Sequence, residues 1–114
     1  TGYDLSLVKV FKSMLATSLE IGKYFRNHYR PMVFLNQAQQ RRLGKPYTLI
    51  GMSQTRFSSS YLMFMSIKRS QPAFAEFMSW VFSGLEPGFD IVLPDEVHNP
   101  LSTPSYWLGL IWTL

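Results

Sequence analysis

The stretch FAEFMSWVF, residues 74–82, carries the clearest helical pattern of the chain. Its apolar residues recur at spacings of three and four, which places them on one face of an α-helix. They are Phe74, Phe77, Met78, Val81 and Phe82. Pro72 precedes them and suits the first turn of a helix, where a backbone N–H has no intrahelical partner. The pattern predicts a helix from about Pro72 that turns this face to the core.

A longer helix is predicted upstream, from Asp4 or Ser6 to near Arg30, because both Asp and Ser are competent N-caps. Its apolar stripe has the same period and comprises Val8, Phe11, Leu15, Leu19, Gly22 and Phe25. Pro31 ends or kinks this helix, since proline lacks an N–H and crowds the preceding turn. A shorter helix is expected over residues 32–43.

Gly44 and Pro46 are natural end signals for that second helix. The β-prone run of residues 47–52 is then either an extended connection or one edge strand. A third helix is predicted to begin near Thr55 or Ser58, with one side carrying most of its large residues. That side comprises Phe57, Tyr61, Phe64, Met65 and Lys68.

Two more helix starts follow the helix over residues 74–82. Pro94 is followed by two acids, which are stabilised at the positive end of a helix dipole. Thr103 is a competent N-cap and Pro104 suits the first helical position. The fold class is therefore mainly α, with at most one or two short edge strands. The apolar stripe over residues 107–114 has no obvious partner, so we expect marginal stability for the isolated chain.

The composition bounds the class of protein. The chain has 114 residues, of which 46% are hydrophobic and only 16% charged, a balance that argues against intrinsic disorder. Because it starts with Thr1 and stops at Leu114 inside a helical pattern, we expect a fragment whose surplus apolar area faces a partner. The absence of cysteine excludes disulfides and thiolate metal sites. No apolar run reaches the roughly 18 to 20 residues that a membrane span needs.

Charge is unevenly distributed along the sequence. The formal net charge is +4, and all eleven Lys and Arg residues precede Gln71, whereas residues 71–114 hold five of the seven acids. A basic balance favours polyanions such as nucleic acid. We treat residues 1–114 as one helical segment, with basic N-terminal helices and a connection over 1–52 and the remaining helices, acidic toward the C-terminus, over 53–114.

The sequence shows no convergent catalytic or metal-binding set. Asp95 and Glu96 are the only neighbouring acids, and adjacent residues on a helix point apart. His28 and His98 lack a second His or Cys at ligand spacing, and the glycines are scattered. We therefore predict no catalytic residue and no metal site in this chain.

Two groups of basic residues are the positive signal for function. The first group brackets Pro31 and comprises Lys23, Arg26, Arg30, Arg41, Arg42 and Lys45. The second group has Phe57 and Tyr61 between its members, which are Arg56, Lys68 and Arg69. Arginine beside an aromatic ring can hold a phosphate and stack on an unpaired base. The alternative is an ordinary solvated basic face with Phe57 and Tyr61 in the core.

Three segments, in order, resemble the hAT family of transposases, and its fungal branch most closely. Residues 16–35 resemble the family helix in which an aromatic pair precedes Asn-His and a small apolar run. Thr55-Arg56-Phe57, before a serine-rich helix start, resembles the family's Thr-Arg-Trp motif. Residues 94–107 resemble a later segment with a Pro-acid start and a Tyr-Trp pair.

The resemblance implies a helical segment of an RNase H-like protein of the nucleus that acts on DNA. Family members cut DNA with three acids that bind a divalent metal such as Mg²⁺. None of those acids matches a residue here, since two are expected before Thr1 and one beyond Leu114. The chain by itself is then no enzyme and needs no cofactor of its own.

The same resemblance singles out Arg56 for a phosphate contact and Phe57 for base stacking. The other candidates for DNA contact are Thr55, Tyr61, Lys23, Arg26, Arg30, Arg41 and Arg42. Two departures stand out: Phe57 replaces the usual Trp and loses its indole N–H, and Ser53-Gln54 stand where many relatives carry an acid. Two hypotheses follow: a non-catalytic fragment of an hAT-like transposase, active, decayed or domesticated, or an unrelated helical module whose aromatic stripes bind a protein partner.

Overall fold

The computed structural model describes residues 5–50 and 57–113, and this part of the chain consists of helices joined by short connections, with no strand. The elements are α1 (Leu5–Asn27), α2 (Tyr29–Leu43), α3 (Phe57–Arg69), α4 (Gln71–Ser83), α5 (Asp95–Ser102) and α6 (Pro104–Thr113). The predicted mainly α class is confirmed. Residues 47–50 form a connection without regular secondary structure, while Gly51 and Met52 lie outside the described residues.

The first helix ends at Asn27 and the break lies at His28, three residues before Pro31 and close to the predicted end near Arg30. His28 is extended, with φ −127° and ψ 109°, and its carbonyl accepts the first hydrogen bond of α2 from Met32 N at 3.2 Å. Pro31 is the third residue of α2, where a missing N–H leaves no hydrogen bond unmade. In one continuous helix its ring would instead crowd the carbonyl of Asn27.

Helices α2 and α4 pack along each other and enclose much of the aromatic core. Phe25 of α1 is fully buried, with its ring centroid 5.5 Å from that of Phe74 and 5.3 Å from that of Phe77. Phe89, from the connection after α4, packs against the rings of Phe34, Phe77 and Trp80. The connection between α4 and α5 thus takes part in the core.

The predicted inward face of α4 is partly wrong. Phe74, Phe77 and Met78 are buried as expected, but Phe82 is 67% exposed and Trp80 is only 6% exposed. Trp80 is buried because α4 turns this side toward α2, where Phe34 lies 6.3 Å from it between ring centroids. The position of the neighbouring helix α2 therefore determines that Trp80 is buried and Phe82 is exposed.

The side of α3 that carries most of its large residues is not a single buried face. Phe64 is buried, but Tyr61, Met65 and Lys68 are exposed. The buried side of α3 instead combines apolar residues with serines: Ser60, Met63, Phe64, Ser66 and Ile67. Ser66 can be buried because its hydroxyl donates to the carbonyl of Met63 at 2.8 Å and accepts the backbone N–H of Ile50 at 3.0 Å.

The C-terminal helices begin where the sequence predicts, at Asp95 and Pro104. Contrary to the expectation for residues 107–114, part of the last stripe has a partner: Leu110 is fully buried, and the ring of Trp107 lies 5.8 Å from that of Phe74. Helix α6 contacts α1, α3 and α5. No helix in the described ranges is long and apolar enough to cross a membrane.

Candidate nucleic-acid interface

The structure covers only part of the Thr-Arg-aromatic motif. Thr55 and Arg56 lie outside the described residues. Phe57 is the first residue of α3, and only its backbone is described. The roles predicted for these three residues therefore stay predictions, and α3 is the element that the motif leads into.

Three of the candidate arginines, all on α2, form ion pairs with the acidic half of the chain. Arg30 donates from Nη2 to Asp90 Oδ1 at 2.6 Å and to the Gly88 carbonyl at 3.0 Å. Arg41 Nη2 lies 2.8 Å from Glu86 Oε1, and Arg42 Nε lies 2.7 Å from Glu76 Oε2. Basic residues of α2 thus pair with acidic residues of α4 and of the connection that follows it.

Arg41 is the most extensively engaged of the three arginines. Its guanidinium carbon lies 5.1 Å from the centroid of the Trp80 ring, and Glu76 is a second, more distant carboxylate partner at 3.9 Å. The hydrogen bond to Glu86 raises the pKa of Arg41. Its side chain remains half exposed to solvent. Arg41 therefore joins α2 to α4 and to the connection that follows α4.

Lys23 and Arg26 of α1 are exposed and form no ion pair with any described residue. Lys23 lines a cavity of about 130 Å³ between α1 and the start of α5, together with Glu20 and Glu96. Arg26 folds back along its own helix, since a Cβ placed on Gly22 would lie 2.6 Å from Arg26 Nη1. Both cations are thus exposed to solvent, Lys23 in a cavity that it shares with two acids and Arg26 along its own helix.

The solvent face of α3 carries the clearest mixture of aromatic and cationic side chains. Tyr61 is 47% exposed, so the alternative that placed this residue in the core is wrong. Residues 61, 65 and 68 share a face by helical spacing, and the adjacent Leu62 and Arg69 are also exposed. The helix contains no carboxylate. Its outer side therefore offers an aromatic ring, apolar surface and two cations.

A second aromatic and cationic arrangement lies at the C-terminal ends of α2 and α3. The ring of Tyr47 has Arg69 Cζ 4.4 Å and Lys45 Nζ 5.1 Å from its centroid. Sequence reasoning grouped Lys45 and Arg69 with different clusters and treated Tyr47 as part of the connection. These three side chains come together only because of the way α2 and α3 pack, so the spacing of residues along the sequence does not predict the contact.

His28 has a structural role at the end of α1. Its Nδ1 lies 2.8 Å from the Tyr24 carbonyl, and its ring stacks on that of Tyr24 with 4.3 Å between centroids. It therefore satisfies one of the last carbonyls of the helix.

Among the described residues, no three His, Asp or Glu side chains are grouped so that they could hold a metal ion. A scan of protein-family models, a search of curated proteins and a search of solved structures found no match.

Proposed function

We propose that the chain is a non-catalytic part of an hAT-like DNA transposase, or of a decayed or domesticated relative, within an RNase H-like nuclear protein. In this proposal it contributes DNA contacts and scaffold. The observation that carries the proposal is the solvent face of α3, where exposed Tyr61 precedes Lys68 and Arg69 on a helix without a carboxylate. The resemblance of the residues before α3 to the family's Thr-Arg-Trp motif supports the same assignment.

The α3 face has the properties that a single strand of DNA requires. Cations neutralise phosphates, and an exposed ring stacks on a base whatever its identity. Helix α3 has 13 residues and is therefore about 20 Å long, enough to follow several nucleotides. Without an acid on this helix, nothing on α3 itself repels the phosphate backbone.

The α2 arginines serve as scaffold in this proposal. Exposed ion pairs such as Arg30 with Asp90 contribute about 0 to 1 kcal/mol each, so their main effect is to orient neighbouring segments. Arg41 and Arg42 similarly hold α2 against α4 through Glu86 and Glu76. DNA contact then depends on α3, on Lys23 and Arg26 of α1, and on Arg56.

Binding to a short single strand and to a hairpin-tipped duplex, measured by fluorescence anisotropy across a salt series, tests the proposal. We expect Tyr61→Ala to weaken single-strand binding by about 5- to 150-fold, the loss of one stacked base. Arg56→Ala/Phe57→Ala should weaken it further and reduce the salt dependence. Phe82→Ala is the matched control, because it removes an exposed ring from α4. Equal affinity of the parent, Tyr61→Ala and the Arg56/Phe57 variant would contradict the proposal.

A helical module that binds a protein partner is the second candidate function. It is favoured by exposed apolar side chains on two contacting helices, Leu62 and Met65 on α3 and Leu108 and Ile111 on α6. A chain that binds neither DNA probe yet associates with itself in sedimentation, and loses that association on Leu108→Ser/Ile111→Ser, would support this function instead.

A further inference from the structure

We propose that Lys45, Tyr47 and Arg69 form a phosphate-binding site that takes a phosphodiester group of a DNA strand. The identity of the ligand rests on the DNA contact proposed above, whereas the site itself rests on its geometry. Two cations converge on the ring of Tyr47 at 4.4 and 5.1 Å, so their charges lie at most about 10 Å apart. We call these three residues the Tyr47 site.

The backbone of Tyr47, which carries the ring at the centre of the site, is held by a fully buried side chain. Gln39 Nε2 donates to the Tyr47 carbonyl at 2.9 Å and to Ser70 Oγ at 3.0 Å, and Gln39 Oε1 accepts the Tyr47 N–H at 3.2 Å. The backbone of Tyr47 is therefore tied both to α2 and to the junction of α3 and α4. A ring on a fixed backbone positions the two cations before any ligand arrives.

The position of Arg69 over the ring of Tyr47 leaves its hydrogen-bond donors free for an anion. A guanidinium that lies over a ring uses its face for the contact, and its N–H groups point outward in the plane. Two of these can donate to two oxygens of one phosphate, the geometry that makes arginine a strong phosphate ligand. Lys45 adds a second, mobile positive charge near the same ring.

The charges of the Tyr47 site are not balanced by a carboxylate. Neither Lys45 nor Arg69 forms an ion pair with another residue of the described ranges, whereas the nearby Arg42 is paired with Glu76. The dipoles of α2 and α3 explain one cation at each helix end. They do not explain why two exposed cations meet on one ring, where they repel each other. An anion between them would relieve that repulsion.

The test compares Lys45→Gln/Arg69→Gln with a control that loses the same charge elsewhere, Lys9→Gln/Lys12→Gln on the exposed side of α1. With a short single-stranded DNA, we expect the slope of log affinity against log salt to fall by about 0.7 in the first variant, the value for the one phosphate that the Tyr47 site neutralises. We expect the control to keep the parent's slope. Arg69→Lys should keep the slope but bind more weakly, because it keeps the charge and loses the paired N–H donors.

A second arm uses inorganic tripolyphosphate and follows the Arg69 side-chain resonance by NMR. A saturable shift of that resonance, weaker in Lys45→Gln, which keeps Arg69 as the probe, is the expected result. If tripolyphosphate shifts Arg69 but DNA does not bind, the Tyr47 site stands and the proposed DNA contact fails. If DNA binds with equal slopes for the parent and Lys45→Gln/Arg69→Gln, the DNA contact stands and the Tyr47 site is overturned. No response to either probe overturns both.

Discussion

The hydroxyl oxygens of Ser18 and Tyr106 lie 2.8 Å apart, and both side chains are buried. This hydrogen bond joins α1 to α6 across 88 positions of the sequence. Burial raises the pKa of Tyr106 to about 12, and the hydrogen bond with Ser18 acts in the opposite direction. The last helix is therefore attached to the first by a buried hydrogen bond.

Ser18→Ala should lower the free energy of unfolding by about 1 to 3 kcal/mol, because it leaves the Tyr106 hydroxyl buried without its partner. Ser18→Ala/Tyr106→Phe should lose less than the two single variants together, since the double variant leaves neither hydroxyl unpaired. Urea unfolding measures each value. Ser105→Ala, which removes an exposed hydroxyl from the same helix, is the control and should stay within about 0.5 kcal/mol of the parent.

The raised pKa of Tyr106 predicts a loss of stability in alkali. The folded state holds this proton up to about pH 12, whereas an unfolded tyrosine loses it near pH 10. The protonated Tyr106 therefore contributes its full share of the unfolding free energy below about pH 10. This contribution is lost as the pH rises through about 12. Unfolding free energies of the parent and Tyr106→Phe, measured from pH 9 to about 12, should converge as the pH rises. Parallel curves would contradict this.

Sequence periodicity located the helices better than it assigned their buried faces. Spacings of three and four identify α4, but they fit a face that contains Phe82 as well as one that contains Trp80. The packing of α2 decides between them. On α3 the burial of Ser66 depends on a hydrogen bond from the backbone N–H of Ile50, 16 positions away, which helical spacing does not reveal.

The candidate site was only partly accessible to sequence reasoning for a similar physical reason. The excess of basic residues before Gln71 was visible, but their pairing was not, since Arg30 and Asp90 are separated by 60 positions. The Tyr47 site likewise joins residues from the ends of two helices. Helical spacing describes neighbours on one element, whereas these contacts depend on how elements pack.

Phe25→Ala should cost about 3 to 5 kcal/mol of unfolding free energy, because Phe25 is fully buried between Phe74 and Phe77. Phe82→Ala should stay within about 0.5 kcal/mol of the parent, since most of that ring is exposed. Chemical unfolding followed by circular dichroism gives both values. If Phe25→Ala does not fold, Phe25→Leu supplies a smaller loss that can be measured. Equal losses for Phe25→Ala and Phe82→Ala would contradict the assigned faces.

Gln39→Leu should destabilise the chain by about 2 kcal/mol or more, because it removes the hydrogen bonds to Tyr47 and Ser70 and leaves buried polar atoms unpaired. The Tyr47 amide should also exchange its hydrogen faster, since Gln39 is the acceptor for that N–H. Gln37→Leu is the matched control, because Gln37 is exposed on the same helix. Unchanged exchange at Tyr47 in Gln39→Leu would show that Gln39 does not hold the connection.

Replacing Gly44 and Gly22 by alanine should change the stability of the chain in opposite directions. Gly44 ends α2 with φ 83°, and no atom lies within 4 Å of an added Cβ, so Gly44→Ala carries only a backbone penalty of about 1 to 2 kcal/mol. Gly22 lies inside α1, where alanine favours the helix by about 0.5 to 1 kcal/mol. Its new Cβ meets only the flexible end of Arg26, which can turn outward. Thermal unfolding should therefore show a lower Tm for Gly44→Ala and a higher one for Gly22→Ala. A lower Tm for Gly22→Ala would mean that the Arg26 guanidinium over Gly22 contributes more to stability than the helix gains from alanine.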